Sequence, residues 1–134
     1  MQLNFSLSEL CTSDIAKQYG INNTPSLSTC DNLLKLIFYV LQPLRNKLGK
    51  PVIINSGFRC KQLNSHPAIR GASNSQHLTG QAADICVNGS NAKDLWSYIQ
   101  NTDIEYDQLI LEYNSWVHIS YNHGKNRKKA FKIN

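Results

Sequence analysis

The first half of the chain combines helix-capping residues with hydrophobic positions at helical spacing. Ser6–Glu9 has the form of a capping box, because a glutamate follows a serine by three positions. This predicts a helix that continues to about Tyr19. A second helix is predicted from near Ser28, with a kink at Pro43 and an end at Gly49. Its apolar residues recur every three or four positions and should face the core; they are Leu33, Leu34, Ile37, Phe38, Leu41, Leu44 and Leu48.

The second half alternates in a way that favours strands, with one helix among them. The predicted helix is Asn91–Gln100, and a long irregular segment is expected over residues 56–76, which in a compact domain is usually functional or misassigned. The predicted strands are Pro51–Asn55, Ala82–Val87, Asp107–Tyr113, Trp116–Tyr121 and Arg127–Ile133. Helices followed by strands predict an α+β fold, with N-terminal helices packed on a small, mostly antiparallel sheet. At 134 residues, one domain over residues 1–134 is expected.

Charge and hydropathy restrict the possible partners of this chain. The formal net charge is +5, and much of the excess lies in the C-terminal tail after residue 124. We interpret the tail as a solvated last hairpin, although a basic surface also suits an anionic partner such as a cell-wall polymer. No aromatic platform is interleaved with these charges, so nucleic acid is not expected. The longest apolar stretch, Leu33–Leu41, contains Lys35 and is too short to span a bilayer.

The four cysteines, Cys11, Cys30, Cys60 and Cys86, are widely spaced. The absence of a Cys-x-x-Cys pair excludes a zinc ribbon and a thioredoxin motif. Neither a basic segment nor an apolar segment follows Met1, so we expect no signal peptide. These features predict synthesis in a reducing cytosol, with free thiols.

Candidate chemistry is concentrated in His77, Asp84 and His118. Two imidazoles and one carboxylate form a typical catalytic zinc set, which leaves a fourth position open for water. Neither the segment around His77 and Asp84 (residues 75–85) nor the segment around His118 (residues 116–120) is predicted to be helical, so the site should be built on a loop and on strands. Taken singly, His77 is more often an ordinary loop histidine, and His118 a half-buried strand histidine, than a metal ligand. Asp84, however, begins an apolar strand, where a carboxylate is costly unless it is paired or binds a metal.

Several motifs, in this order and spacing, resemble the M15 zinc peptidases. They are Ser56-Gly57-Phe58-Arg59, Leu63-Asn64, Gly71-Ala72, Ser75-Gln76-His77 with Asp84 seven positions after the histidine, and Trp116-Val117-His118. This group contains D-Ala-D-Ala carboxypeptidases and peptidoglycan endopeptidases. The similarity runs from residue 4 to about residue 121 and is strongest to small phage and prophage members.

The resemblance implies a fold like that of hedgehog proteins and D-Ala-D-Ala peptidases, with one Zn²⁺ ion. His77, Asp84 and His118 take the positions of the zinc ligands. Arg59 takes the position of an arginine that polarises the scissile carbonyl or holds a substrate carboxylate, a task that suits a permanently charged guanidinium. Gly80 is expected to permit a backbone turn between the ligands, and Ser75 and Gln81 flank them as possible supporting partners.

The general base is the point at which this sequence departs from better-known relatives, which carry an acidic residue three positions before the last histidine ligand. Ser115 occupies that position and cannot act as a base at neutral pH. Glu112 is our candidate, since it shares strand parity with His118 and burial would raise its pKa. It could instead pair with a lysine or orient a ligand. Asp107 is a second choice, and Cys86 is expected to be a buried thiol rather than a ligand.

The resemblance therefore implies a zinc-dependent metallopeptidase that cleaves peptide bonds in peptidoglycan stem peptides or cross-links, either endolysin-like or as a carboxypeptidase. We expect a monomer that does not insert into membranes. It would be made in the cytoplasm and act at the cell wall or periplasm after release by phage or prophage lysis. The alternative, motivated by Ser115, is a non-catalytic cell-wall-binding or virion structural module that retains the fold.

Overall fold

The computed structural model describes residues 3–134, so the first two residues of the predicted domain lie outside it. The helices are α1 Leu7–Cys11, α2 Asp14–Gln18, α3 Leu27–Leu36, α4 Gln42–Leu48, α5 Lys61–Asn64 and α6 Ala92–Gln100, with a π-helical turn over Ile37–Leu41 and a 3₁₀ turn over Gln76–Thr79. The strands are β1 Ile53–Ser56, β2 Ala82–Cys86, β3 Gln108–Glu112, β4 Trp116–Ser120 and β5 Lys129–Ile133. The predicted α+β class is confirmed.

The predicted N-terminal helix is interrupted and forms two short helices. Ser6 caps α1 as expected, since its hydroxyl accepts a hydrogen bond from the Glu9 backbone N–H at 3.1 Å. The prediction of one helix to Tyr19 is wrong because Thr12 leaves the helical conformation. Ser13 then caps α2 by accepting from the Ala16 N–H at 3.1 Å. A second serine at a favourable cap position explains the restart.

The long hydrophobic stripe forms α3, the π-helical turn and α4 in immediate succession. Ser26 is the N-cap, and Gly49 ends α4 with a left-handed φ of 66°. A kink was predicted at Pro43, and the structure has a π-helical turn just before it, where the Gln42 N–H donates to the carbonyl of Ile37. Proline lacks an N–H and disturbs the preceding turn, so a local change of helical pitch accommodates it.

The sheet has the strand order β1-β2-β4-β3-β5. Three of its pairings are antiparallel, whereas β5 pairs with β3 in parallel. The mostly antiparallel sheet is thus confirmed, but the expected last hairpin is wrong, because the chain crosses over before β5 begins. β5 is an exposed edge strand, and its lysines discourage pairing with another chain.

The two faces of the sheet have different roles. Residues of β2, β3 and β4 that point toward the helices are fully buried; they include Ile85, Leu109, Leu111, Val117 and Ile119. The alternate positions, among them Asp84, Ile110, Glu112 and His118, line a cleft on the opposite face. The helices therefore pack on one face of the site-bearing strands and leave the other face to the cleft. Within residues 3–134, no helix combines the length and hydrophobicity needed to cross a bilayer.

Candidate metal centre and cleft

His77, Asp84 and His118 converge on one point of the cleft, with their donor atoms all within 4.8 Å of one another. Asp84 Oδ1 lies 3.2 Å from His77 Nε2 and 3.0 Å from His118 Nδ1, and all three side chains are buried. Ligand atoms on a tetrahedral zinc ion, each about 2.0–2.1 Å from the metal, are about 3.3 Å apart. The chemistry and spacing of this donor set therefore fit a zinc-sized ion.

The strand register positions two of the three donors. Asp84 on β2 lies directly opposite His118 on β4, on the face that points away from the helices. Side chains directly opposed on neighbouring strands lie close enough to share a ligand. His77 reaches the same point from the 3₁₀ turn, where its N–H donates to the Ser75 hydroxyl at 3.1 Å. Gly80 closes this turn with a left-handed φ of 76°, which confirms its predicted role.

The protonation of His77 is set by a backbone group. Nδ1 lies 2.7 Å from the carbonyl oxygen of Gly57, which can only accept, so Nδ1 carries the proton. The lone pair of Nε2 then faces Asp84, as metal ligation requires. Of the two flanking residues expected to assist, Ser75 holds the backbone of the turn and Gln81 binds Thr79. Sequence reasoning missed Gly57 because a carbonyl oxygen is common to every residue type.

The electrostatics of the cluster favour the protonation states that a metal needs. Burial acts to raise the pKa of Asp84, but the imidazoles of His118 and His77 that face it outweigh burial and hold that pKa well below its usual range. Burial lowers the pKa of His77 and so favours the neutral ring. A carboxylate and a neutral imidazole are the ligand forms that bind zinc without first releasing a proton.

Glu112 places a second carboxylate beside the nitrogen of His118 that faces Asp84. Its Oε1 lies 3.6 Å from His118 Nδ1, and it pairs across the hairpin with Trp116. Burial and the charge of Asp84 raise the pKa of Glu112, and nearby cationic groups offset this only in part. Ser115 is exposed and donates to the Tyr113 carbonyl at 2.9 Å, so it takes no part in the cleft lining.

Arg59 follows β1 and forms the wall of the cleft next to the ligands. Its backbone N–H donates to the carbonyl of His77 at 3.1 Å, which ties the two segments together. Burial lowers the pKa of its guanidinium, while the charges of Asp84 and Glu112 act in the opposite direction. Its Nε is buried without a hydrogen-bond partner among residues 3–134. The arrangement leaves a confined cation beside the two carboxylates.

The remaining candidates are engaged elsewhere. Both oxygens of Asp107 accept hydrogen bonds, from Arg127 and from Gln76, so this carboxylate is not free to act as a base. Cys86 is partly buried rather than fully buried, and its thiol lies 3.6 Å from Asn55 Oδ1, outside the ligand cluster. All four cysteines are free thiols, as expected.

The cleft around the metal centre has a volume of about 630 Å³, within the range of small-ligand sites. Part of its lining comes from residues 69–72 and 74–76, at the end of the long segment that was predicted to be irregular. The lining also includes Trp116 on β4, Ile133 on β5 and Arg127. A three-ligand metal centre, a carboxylate and a guanidinium in one cleft have the chemistry of a metal-dependent hydrolase.

This α+β domain with a His-Asp-His centre therefore has the architecture of a metallopeptidase. The family model of Peptidase M15 matches residues 3–120, and the chain belongs to this family. It is also 36% identical, over 86 residues, to the zinc D-Ala-D-Ala carboxypeptidase of Streptomyces albus G. That alignment covers 62% of this chain and 31% of the relative, so the chain spans about a third of the length of the curated relative it matches. The resemblance to M15 peptidases is confirmed, and the phage-type branch remains a prediction.

Proposed function

We propose that the protein is a zinc-dependent metallopeptidase that cleaves peptide bonds in peptidoglycan stem peptides or cross-links. The observation that carries this proposal is the Glu112 carboxylate, 3.6 Å from the metal-facing nitrogen of a His-Asp-His centre. Zinc is favoured by the donor set, by family membership and by the zinc carboxypeptidase relative. A D-Ala-D-Ala peptide substrate is suggested by that relative's name, and the peptidoglycan context comes from the resemblance to M15 peptidases.

A bound zinc ion would supply a Lewis acid and an acidified water molecule. Glu112 then accepts the proton of the attacking water at Oε1 and returns it to the leaving amine. Its raised pKa suits both transfers, because a base with a pKa nearer neutrality also acts as an acid. The carbonyl of Gly57 holds His77 in the required tautomer throughout.

Arg59 assists from the cleft wall. Its guanidinium hydrogen-bonds the oxygen on which negative charge develops, or holds a carboxylate of the peptide. The first role serves an endopeptidase and a carboxypeptidase alike, and the second favours a carboxypeptidase. An endolysin-like enzyme released at lysis is the biological setting we propose.

The alternative is a non-catalytic cell-wall-binding or virion module, favoured by the serine at position 115. This serine is exposed and binds the Tyr113 carbonyl. Glu112 supplies a carboxylate that a purely binding module would not need beside its metal. The enzyme hypothesis predicts turnover that requires Glu112, whereas the binding-module hypothesis predicts no turnover at all.

The decisive experiment measures peptide release from purified peptidoglycan, with the products identified by mass. Glu112→Gln should lower kcat by about 10²- to 10⁴-fold, the usual contribution of a general base, and should keep the metal. His118→Ala should lose both metal and activity. Glu105→Gln, which changes an exposed glutamate outside the cleft, is the matched control.

Product masses distinguish loss of a terminal residue from cleavage of a cross-link. If the zinc-loaded wild-type protein releases nothing, the binding-module alternative is supported. If Glu112→Gln turns over like the wild type, Glu112 is not the base.

A further inference from the structure

Asp107 lies just before β3 and joins two segments that are distant in sequence. Its side chain is 1% exposed. Oδ1 accepts from the Arg127 backbone N–H at 2.8 Å and from Arg127 Nε at 2.9 Å, and Oδ2 accepts from Arg127 Nη2 at 2.9 Å. Oδ2 also accepts from Gln76 Nε2 at 2.8 Å. One buried carboxylate thus holds a C-terminal arginine and a residue of the 3₁₀ turn.

Gln76 directly precedes the proposed ligand His77 in that turn. A carboxylate only accepts hydrogen bonds, so the amide NH₂ of Gln76 must face Asp107 and the orientation of the side chain is fixed. The carbonyl of Gln76 also accepts from the Gln81 N–H at 3.0 Å. The turn that carries His77 is therefore attached to Asp107 through its first residue.

The C-terminal segment wraps around the same aspartate. Lys128 adopts a left-handed φ of 53° and donates its N–H to Tyr106, and the Lys129 N–H donates to the Asp107 carbonyl at 3.0 Å. β5 follows, and its end contributes Ile133 to the cleft wall. This segment lies beyond the residues matched by the family model, which end at 120.

We propose that Asp107 is a positioning residue for the metal centre and that Arg127 supports His77 through it. The inference rests on the proposed function in one respect, that the His-Asp-His cluster binds metal. Arg127 and Gln76 both donate hydrogen bonds to the Asp107 carboxylate. The position of each side chain is therefore restrained by the other through Asp107. Charge-assisted, bidentate bonds of this kind set geometry as well as contributing energy.

An ordinary surface ion pair would behave differently. The Arg127 side chain is 50% exposed, so its charge alone contributes little to stability. Removal of the Arg127 side chain, however, leaves the buried carboxylate of Asp107 with only Gln76 as a side-chain partner. The 3₁₀ turn that begins at Gln76 must then adjust. Loss of a group bonded directly to a metal ligand weakens metal binding about 10- to 100-fold, and for this more remote link we expect about 3- to 10-fold.

The test measures zinc affinity by chelator competition for four variants of the full chain. Arg127→Ala and Gln76→Met should each weaken zinc binding by about 3- to 10-fold. The double variant should lose little more than the weaker-binding single variant, since both changes break one linkage. Lys129→Ala, in the same segment, removes a side chain without a hydrogen bond in the described part of the chain and should bind zinc like the wild type.

Unchanged zinc affinity in Gln76→Met, or losses that multiply in the double variant, would overturn the proposal. Thermal unfolding of each metal-free variant identifies any that fails to fold, and Arg127→Lys, which keeps the charge but not the fork, replaces Arg127→Ala in that case. A wild-type protein that binds no zinc overturns both this inference and the proposed function. A zinc-binding, active wild type with unaffected variants overturns this inference alone.

Discussion

Replacing Asp107 by asparagine should remove an acid-sensitive part of the stability of this domain. The hydrogen bond from the Arg127 side chain is the main reason that the pKa of Asp107 falls to about 2, from an ordinary value of 3.8. Because the folded pKa is the lower one, the unfolded chain binds the proton more readily. The stabilisation is therefore complete above the unfolded pKa and is lost as the pH falls toward 2.

The magnitude follows from the two pKa values. Their separation corresponds to about 2 kcal/mol in the free energy of unfolding, at about 1.36 kcal/mol for each pK unit. The carboxylate is buried, but half of the Arg127 side chain is exposed and solvent screens the pair. We therefore expect about 1 to 2 kcal/mol at pH 6, of which roughly half is lost by pH 3.

Urea unfolding of wild type and Asp107→Asn at pH 6, 5, 4 and 3 measures this directly. The difference in the free energy of unfolding should shrink as the pH falls. Asp103→Asn is the control: the hydrogen bond to Lys47 also lowers the pKa of Asp103, but Asp103 is exposed and solvent screens the pair, so its pH-dependent difference should be much smaller than that of Asp107→Asn. A difference for Asp107→Asn that is the same at pH 6 and pH 3 would refute the reasoning, since the ionised carboxylate would then contribute nothing.

Three further predictions concern the metal centre. In Gly57→Ala the new Cβ would lie 2.2 Å from the backbone oxygen of Leu10, so the segment whose carbonyl orients His77 must shift. Chelator competition should then show a zinc affinity about tenfold lower than that of the wild type, and an unchanged affinity would contradict this role of Gly57. Arg59→Lys keeps the charge but not the planar fork, so kcat/KM should fall while zinc affinity stays the same, and unaltered kinetics would remove Arg59 from the mechanism. Removing the metal should lower the melting temperature, and zinc at about 100 times its Kd should restore about 2.7 kcal/mol; a melting temperature that does not depend on zinc would exclude a bound ion in the folded state.

The secondary structure was largely predictable because it depends on local patterns. The strands from residue 82 to residue 121 and helix α6 lie where alternation and periodicity placed them, to within one or two residues. The first helix was not predictable in extent, since two serines offered equally good caps. Parallel pairing of β5 with β3 was also missed, because strand direction depends on a crossover that leaves no local signal.

The site, like the secondary structure, was predicted in part from the sequence and decided in part only by the tertiary structure. Amino-acid type and strand parity suggested His77, Asp84, His118 and Glu112, and the resemblance to the M15 peptidases implied the ligand set and added Arg59. Only the tertiary structure showed that the register of β2 against β4 brings two donors together and that the Gly57 carbonyl sets the tautomer of His77.

Asp107 marks the boundary between the two kinds of information. From the sequence it was a possible base, since its residue type allows that role. The folded chain surrounds it with Gln76 and Arg127, which are 31 and 20 positions away, and so assigns it to support. The sequence determined which chemical groups the protein has and which local elements carry them. The tertiary structure decided which groups meet, because hydrogen-bond partners and burial depend on contacts between distant parts of the chain.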